Sequence, residues 1–112
     1  PIKSSAASDV YKRQTATSAQ IQADANIREL RNKTLELEAS LRRYNESLRY
    51  YTSSALKEAD ELTKAANLQL QQSETGIAEY IQSITTAREI RRGYIETVYQ
   101  YNIAALEYEL FK

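Results

Sequence analysis

The sequence predicts an all-α protein, built as a long antiparallel two-helix coiled-coil hairpin. Three observations predict this fold. Gly76 and Gly93 are the only glycines and the single proline is residue 1, so the interior has little that breaks a helix. Ala, Leu, Glu, Gln, Arg and Lys, the good helix formers, dominate that interior. Apolar residues recur at alternating intervals of four and three, the repeat of a left-handed seam between helices.

The first helix is predicted to run from about residue 19 to about residue 72. At a rise of about 1.5 Å per residue, it would be roughly 80 Å long. A helix of that length needs packing along its side, because propensity alone does not stabilise it. Its charged residues lie off the apolar stripe. The stripe consists of Leu30, Thr34, Leu37, Leu41, Tyr44, Leu48, Tyr51, Ala55, Ala59, Leu62, Ala66 and Leu70.

The turn between the helices is predicted at residues 73–76. Gly76 is the only strong helix breaker between the two periodic regions. We expect it to take the positive-φ conformation that ends a helix. No long polar stretch follows, so the connection should be short, and a short connection brings two helices back antiparallel.

The second helix is predicted from about residue 77 to about residue 111, and it carries two apolar stripes. A hairpin needs only one apolar face per helix, so the second stripe indicates further neighbours. This helix is also shorter than the first, which leaves the N-terminal third of the first without an intramolecular partner. The first stripe is Tyr80, Ile84, Ala87, Tyr94, Val98, Tyr101, Ala105 and Tyr108, with Arg91 its one charged member. The second stripe is Ile95, Tyr99, Leu106 and Leu110.

Residues 1–14 differ from the rest, because they show no helical periodicity and are rich in small polar residues. The string from Ser8 to Gln14 resembles a translated sequencing-adapter remnant found at the edges of environmental gene fragments. We therefore expect residues 1–14 to be disordered and non-native, and residues 15–112 to form the hairpin. The alternative is an ordinary disordered terminus.

The composition argues against catalysis. Cys, His, Met and Trp are absent, which removes the common nucleophile–base pairs and the ligands that select copper or zinc. Fifteen basic residues balance fifteen acidic ones, so no charge pattern points to nucleic acid. No apolar run could span a bilayer. We expect no enzyme activity, no cofactor and no metal site. A small basic cluster should form salt bridges with Glu58, Asp60 and Glu61, and it consists of Arg88, Arg91 and Arg92.

Residues 41–111 carry a resemblance to a known family. Tyr50-Tyr51 precedes Ala55-Leu56-x-x-Ala59-Asp60, and Gly76 precedes Tyr80-Ile81. Tyr101-Asn102-x-Ala104 and Leu106-Glu107-Tyr108 follow. This pattern resembles the C-terminal helical part of TolC-like outer-membrane efflux factors, especially those associated with or fused to heavy-metal RND pumps. The glycine turn, with the tyrosine–asparagine–alanine spacing downstream, is its more specific part.

The resemblance implies a fragment of a trimeric helical tunnel in the periplasm and outer membrane of a Gram-negative-type cell. Its expected partners are the other helices of the channel, a periplasmic adaptor protein and the RND inner-membrane pump. The adaptor would dock at the tip, which consists of Glu74, Thr75, Gly76 and Ile77. A pore constriction would lie at Gln82 and Thr85, although these are uncharged where such tunnels often carry acidic gate residues.

Two other readings stay open at this point. The chain could be a structural coiled-coil scaffold unconnected with transport, which predicts a self-contained dimer or bundle. It could also be the helical hairpin of a periplasmic adaptor protein, which normally carries flanking lipoyl-like β segments. The transported substrate, and whether the segment is fused to its pump, do not follow from the residues.

Overall fold

The computed structural model describes residues 2–112, with side chains from residue 5 onward. Helix α1 spans Ile2–Tyr50, a π-helical turn spans Tyr51–Ala55, α2 spans Leu56–Gln71 and α3 spans Ile77–Phe111. The described part of the chain contains no strand, so the all-α prediction is confirmed. We call α1, the π-helical turn and α2 together the first arm, and α3 the second arm. The molecule measures 101 × 25 × 14 Å.

Helix α1 begins much earlier than the sequence pattern predicts. Residues 2–14, which we expected to be disordered, are the first turns of α1. The prediction rested on missing periodicity, but periodicity reports packing rather than backbone conformation. A segment without glycine or internal proline extends an existing helix by adding one backbone hydrogen bond per residue. The side chains of residues 5–24 are all exposed, so this part of α1 has no packing partner among the described residues. The non-native origin of the segment stays a prediction.

The two arms lie side by side and run in opposite directions. Near the start of α3, Tyr80 Oη donates a hydrogen bond to Asn67 Oδ1 at 2.8 Å. At the far end, Thr34 Oγ1 donates to the main-chain oxygen of Phe111 at 3.3 Å. The end of α2 therefore faces the start of α3, and the middle of α1 faces its end.

Small side chains fill the seam between the arms. Ala59 and Ala87 are completely buried, and Leu37 is the only large side chain in this core. Of the predicted first-arm stripe, every member except Leu30 is buried or half-buried. Leu30 is 48 % exposed because α3 ends close to its level. The buried apolar residues are Leu37, Ala55, Ala59, Ala66, Ala87 and Ala104.

The turn differs from the prediction in which residue reverses the chain. Ser73, and not Gly76, has a positive φ, of 57°. The Glu74 amide donates to the Gln69 carbonyl at 2.8 Å and the Ser73 amide donates to the Leu70 carbonyl at 3.1 Å. This pair of bonds is the Schellman motif, which satisfies the last carbonyls of a helix. Gly76 is extended, with φ −80° and ψ 169°, and is the N-cap of α3.

The π-helical turn absorbs an irregularity in the first-arm stripe. The steps from Tyr51 to Ala55 and from Ala55 to Ala59 are both four, where strict alternation requires a three. One extra residue would rotate the rest of the stripe out of the seam. A turn with i→i+5 hydrogen bonds takes up that residue, and Ala59 is fully buried as a result.

Gly93 lies opposite the π-helical turn and makes room for a tyrosine. A Cβ at Gly93 would overlap the Tyr51 hydroxyl and would lie 3.3 Å from Cζ of the same ring. The Tyr51 ring also contacts Tyr94, with ring centroids 5.8 Å apart and planes tilted by 56°. The absence of a side chain at Gly93 therefore provides the space in which the Tyr51 ring packs against the second arm.

We expect Ser73→Gly to stabilise the protein. A non-glycine residue in the left-handed region costs about 1–2 kcal/mol. Glycine removes this cost, but it offsets part of the gain because its unfolded chain has more conformational freedom to lose. The free energy of unfolding should rise by about 0.5–1 kcal/mol, measured by urea titration followed by circular dichroism. The control is Gly76→Ser, which should cost nothing because the backbone there is extended and the site is open. A destabilising Gly76→Ser would mean that Gly76 is required for the turn.

A double-mutant cycle tests the contact between Gly93 and Tyr51. Glycine to alanine within an exposed helix normally gains about 1 kcal/mol. We expect Gly93→Ala to gain none of it, because the new methyl group displaces the Tyr51 ring. In a Tyr51→Ala background, the same change should recover the full gain. Equal effects of Gly93→Ala in both backgrounds would show that the two residues are not coupled.

Candidate functional site

The most extensive feature that the fold leaves unused is an apolar surface on α3, which we call the outer face. With 3.6 residues per turn, its members fall within an arc of about 80° around the helix. Each is exposed, from 37 % at Ile103 to 81 % at Leu110. The outer face consists of Ile77, Ile81, Ile95, Tyr99, Ile103, Leu106 and Leu110.

The first arm does not cover the outer face. The seam side of α3 holds the buried Ala87 and Ala104, together with half-buried Tyr94 and Val98. The second stripe lies on the other side, where Ile95 is 67 % exposed and Leu106 is 65 % exposed. Single exposed apolar residues are normal, but a row of them rimmed by polar residues indicates an interaction surface, and Ile95 to Leu110 form such a row.

Two arginines interrupt the middle of the outer face. Arg88 and Arg92 fall within the same arc between Ile81 and Ile95, with Thr85 at its edge, and all three are exposed. Within residues 5–112 neither arginine lies within 4.0 Å of a carboxylate, although Glu96 is one turn from Arg92. The face therefore has apolar groups at its two ends and positive charge at its centre.

The expected salt bridges of the basic cluster form only at Arg91. Its Nη2 lies 2.9 Å from Asp60 Oδ1 and donates to Thr63 Oγ1 at 3.2 Å. Arg91 belongs to the seam side of α3, whereas Arg88 and Arg92 point away from the first arm. Exposed pairs of this kind contribute about 0–1 kcal/mol, so this bridge fixes register more than it adds stability.

The predicted tip residues lie together at one end of the long axis, in the connection between α2 and α3. Glu74, Gly76 and Ile77 are exposed, and Ile77 is 69 % exposed. Thr75 is half-buried, and its Oγ1 is enclosed without a hydrogen-bond partner among the described residues. The structure thus brings the four residues to one exposed surface. Adaptor docking there stays a prediction.

Gln82 and Thr85 lie on adjacent turns of α3, one to two turns after the tip, and both side chains are exposed. The main-chain carbonyl of Gln82 accepts a hydrogen bond from Thr86 Oγ1 at 3.0 Å. That bond does not involve the side-chain amide of Gln82. A constriction needs opposing copies of these residues, which lie outside one chain. The predicted constriction therefore stays a prediction.

Sequence reasoning missed part of the outer face. It identified Ile95, Tyr99, Leu106 and Leu110, but it did not assign Ile77, Ile81 and Ile103 to the same face. The signal was present, because Ile81 lies two heptads before Ile95, and Ile103 is one turn after Tyr99. Arg88 occupies the intervening heptad position, and its charge hid the continuity of the stripe.

The N-terminal part of α1 extends beyond the end of α3. Ile21 is 62 % exposed and Ile27 is 55 % exposed, as the unequal helix lengths predicted. An open groove of about 500 Å³ lies where α3 stops, lined by Asn26, Glu29, Leu30, Lys33 and Phe111. The overhang therefore offers a second uncovered surface, although its apolar residues do not form one continuous row.

Residues 2–112 carry neither a metal-binding cluster nor a membrane span. No group of three or more acidic, histidine or cysteine side chains converges in this part of the chain. None of the helices described combines the length and apolar character needed to cross a bilayer.

Near the end of α3, a tyrosine and a carboxylate join the two arms. Tyr108 Oη donates to Glu38 Oε1 at 3.1 Å. This hydrogen bond, followed by the charge of Glu38, raises the pKa of Tyr108 above its usual value of 10.0. The protonated tyrosine is therefore the form that holds this end of α3 to α1.

Comparisons with known protein families, with curated proteins and with solved structures found no match to this chain. A functional assignment therefore depends on the sequence pattern and on the geometry described above.

The Tyr108 contact predicts a loss of stability in alkali. Because the folded pKa of Tyr108 is raised, its contribution is complete below the unfolded value of 10.0 and is lost as the pH rises through the folded value. The unfolding free energies of wild type and Tyr108→Phe should differ by a constant below about pH 10 and converge above it. Tyr99→Phe, on the outer face, is the matched control for removal of a tyrosine hydroxyl. A constant difference for Tyr108→Phe throughout would contradict the assignment.

Proposed function

We propose that this chain is a wall segment of a periplasmic helical tunnel, part of an outer-membrane efflux channel. It would work with an RND-type exporter for heavy-metal cations, in a Gram-negative-type cell envelope. The segment would contribute the conduit and the docking of a periplasmic adaptor, without catalysis, cofactor or bound metal. Its hairpin would be one of several packed side by side in a trimer.

The observation that carries this proposal is the outer face of α3. A helix in a closed wall has neighbours on two sides, so it needs two apolar faces. The seam supplies one, and the seven exposed apolar residues of the outer face supply the other. A free-standing helical pair gains nothing from the second face, because exposed apolar rows favour aggregation.

The thin seam supports the same proposal. Six side chains form the buried core of the described residues, and all of them except Leu37 are alanine. Such a core stabilises little by itself, since buried apolar area contributes about 25 cal/mol per Å². Assembly with further helices would supply the packing that the pair lacks. A fragment of a larger wall is expected to have this deficit, whereas a self-sufficient domain is not.

The tip and the next turns of α3 take their proposed roles from the family resemblance. Glu74, Gly76 and Ile77 are accessible at the end of the molecule, as docking of an adaptor requires. Gln82 and Thr85 follow them on α3 and would line a narrowing when copies face each other. The cargo would pass these side chains without being held, because the chain has no His, Cys or Met ligands.

The complete reading frame provides the test. We expect upstream sequence with alternating, membrane-type strands and a second long helical repeat. The full protein, extracted in detergent, should sediment as a trimer. A frame without strands and without a second helical repeat would overturn the proposal.

Sedimentation of the 112-residue chain separates the alternatives. A wall fragment should be weakly stable and prone to aggregation. A discrete, cooperatively melting dimer or bundle would favour the structural coiled-coil scaffold. Flanking lipoyl-like β segments in the complete frame would favour the hairpin of a periplasmic adaptor.

A further inference from the structure

Positive charge in the middle of the outer face restricts what can cover it. Arg88 and Arg92 lie between the two apolar ends of the face. A helix that packs along the whole face removes both guanidinium groups from water. Burial of an uncompensated charge costs several kcal/mol, even after the protein relaxes. The covering helix must therefore bring acidic side chains to the level of Arg88 and Arg92.

The chain's own acidic residues do not meet this need. Arg91 forms a salt bridge with Asp60 at the seam, and Lys57 lies 4.0 Å from Glu61 on α2. Glu89 and Glu96 are within one turn of Arg92 along α3, yet neither forms a salt bridge with it in the part of the chain described. The two arginines are thus available to a partner.

A second copy of the chain fits this face poorly when α3 packs on α3. In a parallel pair, each Arg88 and Arg92 would oppose its own counterpart. In an antiparallel pair that matches Ile77 with Leu110, the two Arg92 side chains lie within one turn of each other. Like charges at such distances are unfavourable, so both arrangements are disfavoured.

A second copy also fits poorly when α3 packs on the back of the first arm. Lys57 and Lys64 each precede a buried seam alanine by two residues, which places them about 160° away from the seam. Both are exposed. They lie near the level of Arg88 and Arg92 on the second arm, because the neighbouring Arg91 contacts Asp60 and Thr63. Glu61 also lies on this back surface, two residues after Ala59, but it is 4.0 Å from Lys57. The back of the first arm therefore has an excess of positive charge where the outer face needs carboxylates.

We infer that the partner of the outer face is a helix other than this chain, apolar at both ends and acidic in its middle. Its leucine- or isoleucine-type residues would pack on Ile77 and Ile81 at one end, and on Ile95 to Leu110 at the other. Its central Glu or Asp residues would pair with Arg88 and Arg92. This inference rests on the proposed function, in which such a helix belongs to the rest of the channel.

Two synthetic peptides test this directly on the 112-residue chain. Both have about 35 residues, the length of α3, with leucines at heptad spacing in their outer thirds. They differ only in the middle, where one carries glutamates and the other lysines. Fluorescence anisotropy of labelled peptide should show that the glutamate peptide binds at least about tenfold more tightly, with a preference that weakens as salt is added.

Charge variants on the chain complete the test. Arg88→Glu with Arg92→Glu should reverse the preference, whereas the matched control Arg88→Lys with Arg92→Lys should keep it. Unchanged circular dichroism would show that the variants fold. Equal binding of both peptides, or no binding of either, would overturn the inference. Self-association of the wild-type chain that Leu106→Glu abolishes would also overturn it, because a second copy would then occupy the face.

This result is independent of the test of the proposed function. A complete reading frame with a second helical repeat, but with no peptide preference, would leave the channel proposal standing and remove the acidic partner. A clear preference for the glutamate peptide, with a reading frame that lacks strands and a second repeat, would support the acidic partner and overturn the channel proposal.

Discussion

Close packing of alanines between the two arms is the constraint on which the rest of this structure depends. Ala59 and Ala87 have no exposed surface, and three further alanines are almost fully buried. Small side chains let two helices approach closely, but they bury little apolar area per residue. The structure is therefore a long, thin pair of rods, held by a shallow seam and by scattered polar contacts. Many of its large apolar residues are exposed on the outside of this pair.

Register along this narrow seam is set by features that are not themselves apolar. The π-helical turn takes up one extra residue in the first-arm repeat, and Gly93 provides the space that Tyr51 occupies across from it. Side-chain hydrogen bonds within the same stretch, such as Thr52 to the Leu48 carbonyl at 2.9 Å, compete with regular helix geometry there. Polar pairs at Asn67–Tyr80 and Glu38–Tyr108 then hold the two ends of the overlap, and Asp60–Arg91 lies between them. A repeat built of alanines slides easily, so these specific contacts are what select one alignment.

Helix α3 has two sides that differ in what they can pack against. Its seam side specifies a neighbour by shape, through small residues that allow close approach. In our proposal, its outer side would select a neighbour by both hydrophobicity and charge, since apolar ends flank the guanidinium groups of Arg88 and Arg92. The positive charge on that side explains why a second copy of the chain would pack poorly against it. Specificity of this kind depends on the penalty for wrong partners as much as on attraction to the right one.

The amino-acid sequence by itself determined the helical class, the two rods, the position of their junction and most of the seam. It could do so because the 4–3 spacing of residues such as Leu37, Leu41 and Tyr44 is a local pattern with one geometric meaning. Tertiary structure decided which residue reverses the chain, since Ser73 takes the left-handed conformation that the Schellman bonds require and Gly76 is extended. Residues 2–14 are helical for a local reason instead, because backbone hydrogen bonds propagate without an apolar stripe. Finally, tertiary structure decided that Arg91 faces the seam while Arg88 and Arg92 face away. That division depends on the rotation of α3 against the first arm, which no single helix encodes.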